Sequence, residues 1–175
     1  MPAQWRLQAT LWLPKPPAEV FPFFADAFNL ESITPPFLKF AVTTKAPIAM
    51  HEGTRIDYRL RIHGVPVKWR TNIAEWDPPR AFVDEQLSGP YRLWHHRHTF
   101  EPKDGGTLCR DVVKMRPHGW ILAPLLMRLF IERDVRTIFG YRAEQLCARF
   151  GGDPKSQQLE FSRVDGAREN AQTEL

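Results

Sequence analysis

At 175 residues the chain has the length of one domain that can bury a sizeable core. Its 43% hydrophobic and 25% charged content excludes a disordered or fibrous protein. The net charge of +4 comes without a dense Lys/Arg cluster, which argues against nucleic acid as a partner.

The charge is uneven: from Asp153 onward five acidic and three basic side chains give −2, which leaves +6 on the rest. Cys109 and Cys147 form no metal-binding spacing, so free thiols in a reducing compartment are expected. The first residues lack the apolar stretch of a signal peptide, and the apolar run Trp120–Ile131 is short for a membrane span and contains Arg128. These features predict a cytoplasmic protein without stable membrane insertion; transient membrane contact is left open, as is the oligomeric state.

Gln4–Leu13 reads as a strand with Trp5, Leu7, Ala9 and Leu11 on one side. After Pro14-Lys15-Pro16-Pro17, the spacing of Val20, Phe21, Phe24 and Ala25 predicts a helix over Ala18–Phe28, and a second short helix is expected near Asn29–Ile33. The period then changes to two. Strands are expected at Lys39–Lys45, Thr54–Ile62, Val65–Trp76 and Ala81–Leu87, then at Arg92–Glu101 and Thr107–Arg116. A tight turn centred on Asp104-Gly105 sets the last hairpin so that Phe100 faces Cys109, His98 faces Asp111, His96 faces Val113 and Trp94 faces Met115. A long helix is predicted from Ile121 to Phe150, with Leu122, Leu125, Leu126 and Leu129 on its first apolar stripe and Arg128, Glu132 and Arg136 beside it. Gly151-Gly152 ends it. The expected domain is 1–152, and 153–175 is expected to be a polar, disordered tail.

The order of elements predicts an α+β fold: a curved antiparallel sheet of about seven strands, two short helices after the first strand, and a long C-terminal helix lying across the concave face. Space between sheet and helix makes a cavity. Several segments carry a resemblance. They are Pro17-Ala18-Glu19-Val20-Phe21-Pro22-Phe23-Phe24, Asn29-Leu30 with Thr34-Pro35-Pro36, Gly64–Trp69, Glu75–Pro79, Phe82–Gln86, Gly89–Tyr91 and His96–Phe100. Together with the element order they resemble the START-like (SRPBCC) ligand-binding superfamily over about residues 4–150, and more narrowly its bacterial polyketide cyclase-like members. The resemblance implies the helix-grip fold and a hydrophobic internal cavity. Its members include lipid carriers, polyketide cyclases and aromatases, so it does not choose among these activities.

Trp94, His96, His98 and Phe100 share one strand face, so two histidines are carried inward with two aromatics. Apolar area with a few orienting polar groups suits the wall of a small-molecule pocket. Asp111 opposite His98 is a further polar candidate, as is Glu85, which faces inward if it goes with Val83 and Leu87 and outward if Phe82 sets the parity; Tyr58, Trp69, Leu129 and Phe130 are the apolar ones. A His98–Asp111 pair suits acid–base chemistry on an enolisable carbonyl compound. The same pair also has a purely structural reading, as a cross-strand contact worth ~0.2–1 kcal/mol. A metal site from His96, His98 and Asp111 lacks a further ligand, so neither a metal nor another cofactor is expected. No Ser-His-Asp arrangement, phosphate loop or dinucleotide fingerprint is present in the sequence.

The leading expectation is non-catalytic binding of a hydrophobic or amphipathic small molecule of lipid, isoprenoid or polyketide class. The alternative is a cyclase or dehydratase using His98 with Asp111. A third reading is an interaction protein whose cavity is filled by side chains.

Overall fold

The computed structural model describes residues 4–118, 125 and 127–164. β1 (Gln4–Leu13) buries Trp5, Leu7, Ala9, Leu11 and Leu13 in strict alternation. α1 (Pro17–Phe24) starts with Pro17, whose missing N–H would have had no helical partner there. It turns Val20, Phe21 and Phe23 inward. A 3-10 turn over Ala27–Glu31 follows, capped by the Asp26 carboxylate, which accepts from the Phe28 N–H at 3.0 Å.

The remaining strands are β2 (Ala41–Val42), β3 (Arg55–Ile62), β4 (Val65–Asp77), β5 (Ala81–Ser88), β6 (Tyr91–Lys103), β7 (Gly106–Pro117) and β8 (Gln158–Val164). They form one antiparallel sheet in the order β2-β3-β4-β5-β6-β7-β1-β8. β2 is shorter than the expected Lys39–Lys45. Lys39 adopts φ 44° at the end of a 3-10 turn, and the Thr44 hydroxyl, not a backbone carbonyl, accepts from the Asp57 N–H. The β6–β7 turn has φ 50° at Asp104 and 75° at Gly105, as a two-residue hairpin turn requires. All four expected cross-strand pairs, from Phe100–Cys109 to Trp94–Met115, are present.

Three bulges bend the sheet. Ala74 in β4, Leu87 in β5 and Arg92 in β6 are each skipped by the ladder. This curvature lets the sheet wrap α2 (Glu132–Phe150), which buries Val135, Phe139, Arg142, Ala143, Leu146 and Cys147.

Two expectations are corrected. The polar tail is not disordered throughout: Gln158–Val164 forms β8, pairing Gln4–Thr10 of β1, so the domain extends past Gly152 to Val164. Two apolar residues at period two, Leu159 and Phe161, suffice because β1 offers an open edge and Trp5 and Leu7 lie in the same packed cluster. Residues 165–175 lie outside the described ones. The long helix also differs near its start. A π-helical turn over Met127–Ile131 precedes α2 and shifts the apolar stripe, so Met127 is buried while Leu125, Leu129 and Phe130 are about half exposed. Leu129 and Phe130 therefore do not line the cavity. Leu122 and Leu126 of the expected stripe lie outside the described residues.

Candidate functional site

Between the sheet and α2 lies a cavity of about 210 Å³. Ile56, Tyr58 and Leu60 of β3, Trp69 and Ile73 of β4 and Trp94 of β6 give it an apolar wall on the sheet, and Phe139 lines it from α2. Trp69 and Trp94 meet edge to face at 5.3 Å between ring centres. Tyr58, Trp69, Trp94, His96 and His98 all line this space, as the strand parity predicts.

The polar side of the cavity is a cluster drawn from three neighbouring strands. Antiparallel pairing sets Asp84 opposite His96, Phe82 opposite His98, and His98 opposite Asp111. Directly paired residues share a face, so these side chains converge. His98 Nε2 and Asp84 Oδ2 are 2.8 Å apart and hydrogen-bonded. His96 Nε2 and Asp111 Oδ1 form the second bond, at 2.9 Å. Two further approaches are electrostatic. His96 Nδ1 lies 3.6 Å from Asp84 Oδ2, and His98 Nδ1 lies 2.8 Å from Asp111 Oδ1 but out of line for a hydrogen bond. The imidazoles are 3.7 Å apart between centres, and Phe82 stacks on His98 at 4.1 Å. Arg142 reaches in from α2, with Nη1 3.9 Å from Asp111 Oδ1.

Burial opposes the charged form of every member, and their neighbours decide the outcome. At His98 burial is outweighed by Asp111 and Asp84, so its pKa is raised. At His96 burial prevails, aided by the charge of His98, and the pKa is lowered. Burial would raise both carboxylates, but the two histidines hold Asp111 well below the usual carboxylate range, and with Arg142 they also hold Asp84 down. The surroundings thus favour the charged form of His98, between two carboxylates, and the neutral form of His96 beside it. Desolvation also raises the Tyr58 phenol, which stays protonated against the apolar wall.

Two expected site residues are displaced. Glu85 points to the outer face, where its Oε1 is 3.9 Å from His95 Nε2. Val83 and Leu87 suggested the wrong parity because Leu87 is the bulged residue, half exposed at 51%. Asp84 takes the inward place, with Phe82. Asp111 lies behind the histidines, against a separate space of about 10 Å³ shared with Ala9, Cys109 and Arg142. The expected His98–Asp111 partnership is therefore redistributed: His98 bonds Asp84, and Asp111 bonds His96. Arg142 was not anticipated, although it interrupts the stripe Val135, Phe139, Leu146 at helical spacing and so had to face inward.

Residues 13–139 match the family described as polyketide cyclase / dehydrase and lipid transport. The chain belongs to that family. No curated protein matches it in sequence. Among solved structures, this family member is similar to the ZhuI aromatase/cyclase from Streptomyces sp. R1128, with a TM-score of 0.65 and 16% identity over 83% of this chain and 93% of that one. It is similar to protein CV1439 from Chromobacterium violaceum, with a TM-score of 0.64 and 17% identity over 87% of this chain and all (100%) of that one. It is also similar to TTHA0849 from Thermus thermophilus, with a TM-score of 0.60 and 21% identity over 82% and 98%. At these identities the likeness is one of fold, the helix-grip arrangement of the START-like superfamily. Ligand binding or cyclisation in the broad sense follows from the family. No helix among the described residues is long and apolar enough to cross a membrane.

Proposed function

We propose that this protein binds a hydrophobic or amphipathic small molecule of lipid, isoprenoid or polyketide class without converting it. The observation that carries this reading is the cavity itself: aromatic and aliphatic walls enclose most of it, and Asp84, His96, His98 and Arg142 form a buried cluster on its wall, while Asp26, Asn29, Thr34, Thr71 and Asp134 are further polar residues of the lining. Such a cavity gives affinity through its apolar area and orientation through a few placed polar groups. Tyr58, Trp69 and Trp94 supply contact area, and His96 and His98 face a polar group of the ligand. The buried free thiols Cys109 and Cys147 support action in the reducing cytoplasm.

The test is native mass spectrometry of protein purified without detergent, followed by titration with a fluorescent fatty-acid or polyaromatic probe. Ile73→Trp places a large ring in the cavity and should abolish uptake; Arg97→Ala on the outer face should leave it unchanged. Equal uptake by both variants would refute an internal site.

A second reading is a cyclase or dehydratase. It is favoured by one observation, that the hydrogen-bonded His98–Asp84 pair lies on the cavity wall, where it can exchange a proton with a bound carbonyl compound. Conversion of a poly-β-ketone probe by the wild-type chain and not by His98→Gln would establish this reading over simple binding.

A further inference from the structure

The sequence withholds a metal site from His96 and His98 because Asp111 alone does not complete one. The structure adds the missing ligand from β5. One oxygen of Asp84 and one nitrogen of each histidine lie within 4.8 Å of one another. Asp84 Oδ2 is 2.8 Å from His98 Nε2 and 3.6 Å from His96 Nδ1. Those separations bracket the ~3.4 Å between ligands that a tetrahedral ion with bonds of ~2.0–2.1 Å requires.

The other ring nitrogens are turned the opposite way. His96 Nε2 donates to Asp111 at 2.9 Å, and His98 Nδ1 lies 2.8 Å from the same carboxylate. A metal-binding histidine is usually held by a carboxylate on its second nitrogen, which fixes the tautomer and aims the ring. Asp111 does that for His96 by a hydrogen bond, and it lies against His98 Nδ1 as a charge contact. With Nε2 of His96 protonated toward Asp111, its Nδ1 lone pair faces the Asp84 carboxylate across 3.6 Å. Two acceptors so placed have no mutual attraction, and a cation between them would satisfy both.

The geometry points to a divalent transition-metal site, suited to Zn²⁺, in which Asp84, His96 and His98 are the ligands and Asp111 is the positioning residue. Two nitrogens and one oxygen form a donor set of the open, three-ligand kind. All three ligands line the large cavity, so a fourth position faces the organic ligand's space. There the ion would coordinate an oxygen of the bound molecule. Zn²⁺ replaces the proton shared by His98 and Asp84, so no oxidant or reductant is needed. The ligands come from β5 and β6, two paired strands of the sheet, and the site needs no movement of α2.

The test uses the full chain, stripped with a chelator and titrated with Co²⁺, then with Zn²⁺. One Co²⁺ per chain should bind, giving the visible absorption of a tetrahedral ion that Zn²⁺ then removes. Asp84→Ala and His98→Gln should abolish this signal. Asp111→Asn keeps every ligand and should weaken binding ~10–100-fold. His95→Gln, on the outer face, should bind as the wild type does. Circular dichroism checks that each variant is folded, and should the ligand variants fail to fold, Asp111→Asn against His95→Gln decides. The proposal is overturned if the wild type shows no saturable 1:1 binding, or if Asp111→Asn binds as tightly as His95→Gln. Because no organic ligand enters the assay, its outcome is independent of what the cavity binds.

Discussion

Removing everything after Gly152 should destabilise the domain, because β8 closes the edge of β1. Seven residue pairs join the two strands. Net hydrogen-bond gains of ~1 kcal/mol per bond are offset, to first order, by the ~1–2 kcal/mol of backbone entropy lost per ordered residue. The remaining stabilisation is side-chain burial. Leu159 and Phe161 are half buried beside Trp5 and Leu7. Full burial of such a side chain is worth ~1.5–3 kcal/mol, so half of each gives about 2 kcal/mol for the two. In a domain of this size that corresponds to a fall of ~4–8 °C in melting temperature. Thermal melts followed by circular dichroism, with urea unfolding as a second measure, provide the assay. The double variant Leu159→Ser/Phe161→Ser keeps chain length and should reproduce most of the loss. If the truncated and doubly substituted proteins both melt within a degree of the wild type, the strand contributes no net stability and the burial argument is wrong.

In chelator-treated protein, Asp111→Asn should lower the His98 pKa in an NMR titration and leave the outward-facing His95 unmoved; an unchanged His98 would refute the coupling between β6 and β7. Because the folded pKa of His98 is raised, its stabilisation is fully present below ~6.5, the unfolded-state value, and is lost as pH rises through the folded one. Asp111 has the opposite sign: its stabilisation is present above ~3.9 and lost as pH falls through its depressed folded value, so Asp111→Asn should flatten the acid limb of the stability curve. Gly106→Ala should cost ~1–3 kcal/mol in urea unfolding, since a Cβ there would collide with the Leu13 carbonyl oxygen and the Trp12 ring; an unshifted midpoint would show that this junction can give way. Leu129→Ser and Phe130→Ser, on the exposed turn, should leave probe uptake unchanged in the same fluorescence titration, whereas a loss would mean that this turn closes over the cavity.

The sheet was readable from sequence where polarity alternated cleanly and where a turn was chemically marked. Asp104-Gly105 fixed the β6–β7 register, and that register alone brought His96, His98 and Asp111 together. What escaped was the contribution of β5. Its bulge at Leu87 breaks the period of two, so an apolar residue off the ladder outvoted Phe82 and hid Asp84. α2 misled for a related reason, since a π-helical turn changes the phase that a 3.6-residue period assumes. Arg142 was legible in principle, but a charged residue in an apolar stripe is easily assigned to the surface. β8 was hidden by composition, because a strand that borrows its apolar partner from β1 needs little apolar content of its own.

The position of β1 has a consequence for how the protein is made. Trp5 pairs with Met115 on one side and Arg163 on the other. β1 leaves the ribosome before the other strands of this sheet, yet neither neighbour exists until most of the sheet has been translated. At ~5–20 residues per second it waits several seconds or more for β7, and longer for β8. Throughout that interval a strand rich in Trp and Leu presents both backbone edges, which makes it the segment where a nascent-chain chaperone would act and where crowded translation would first produce aggregates.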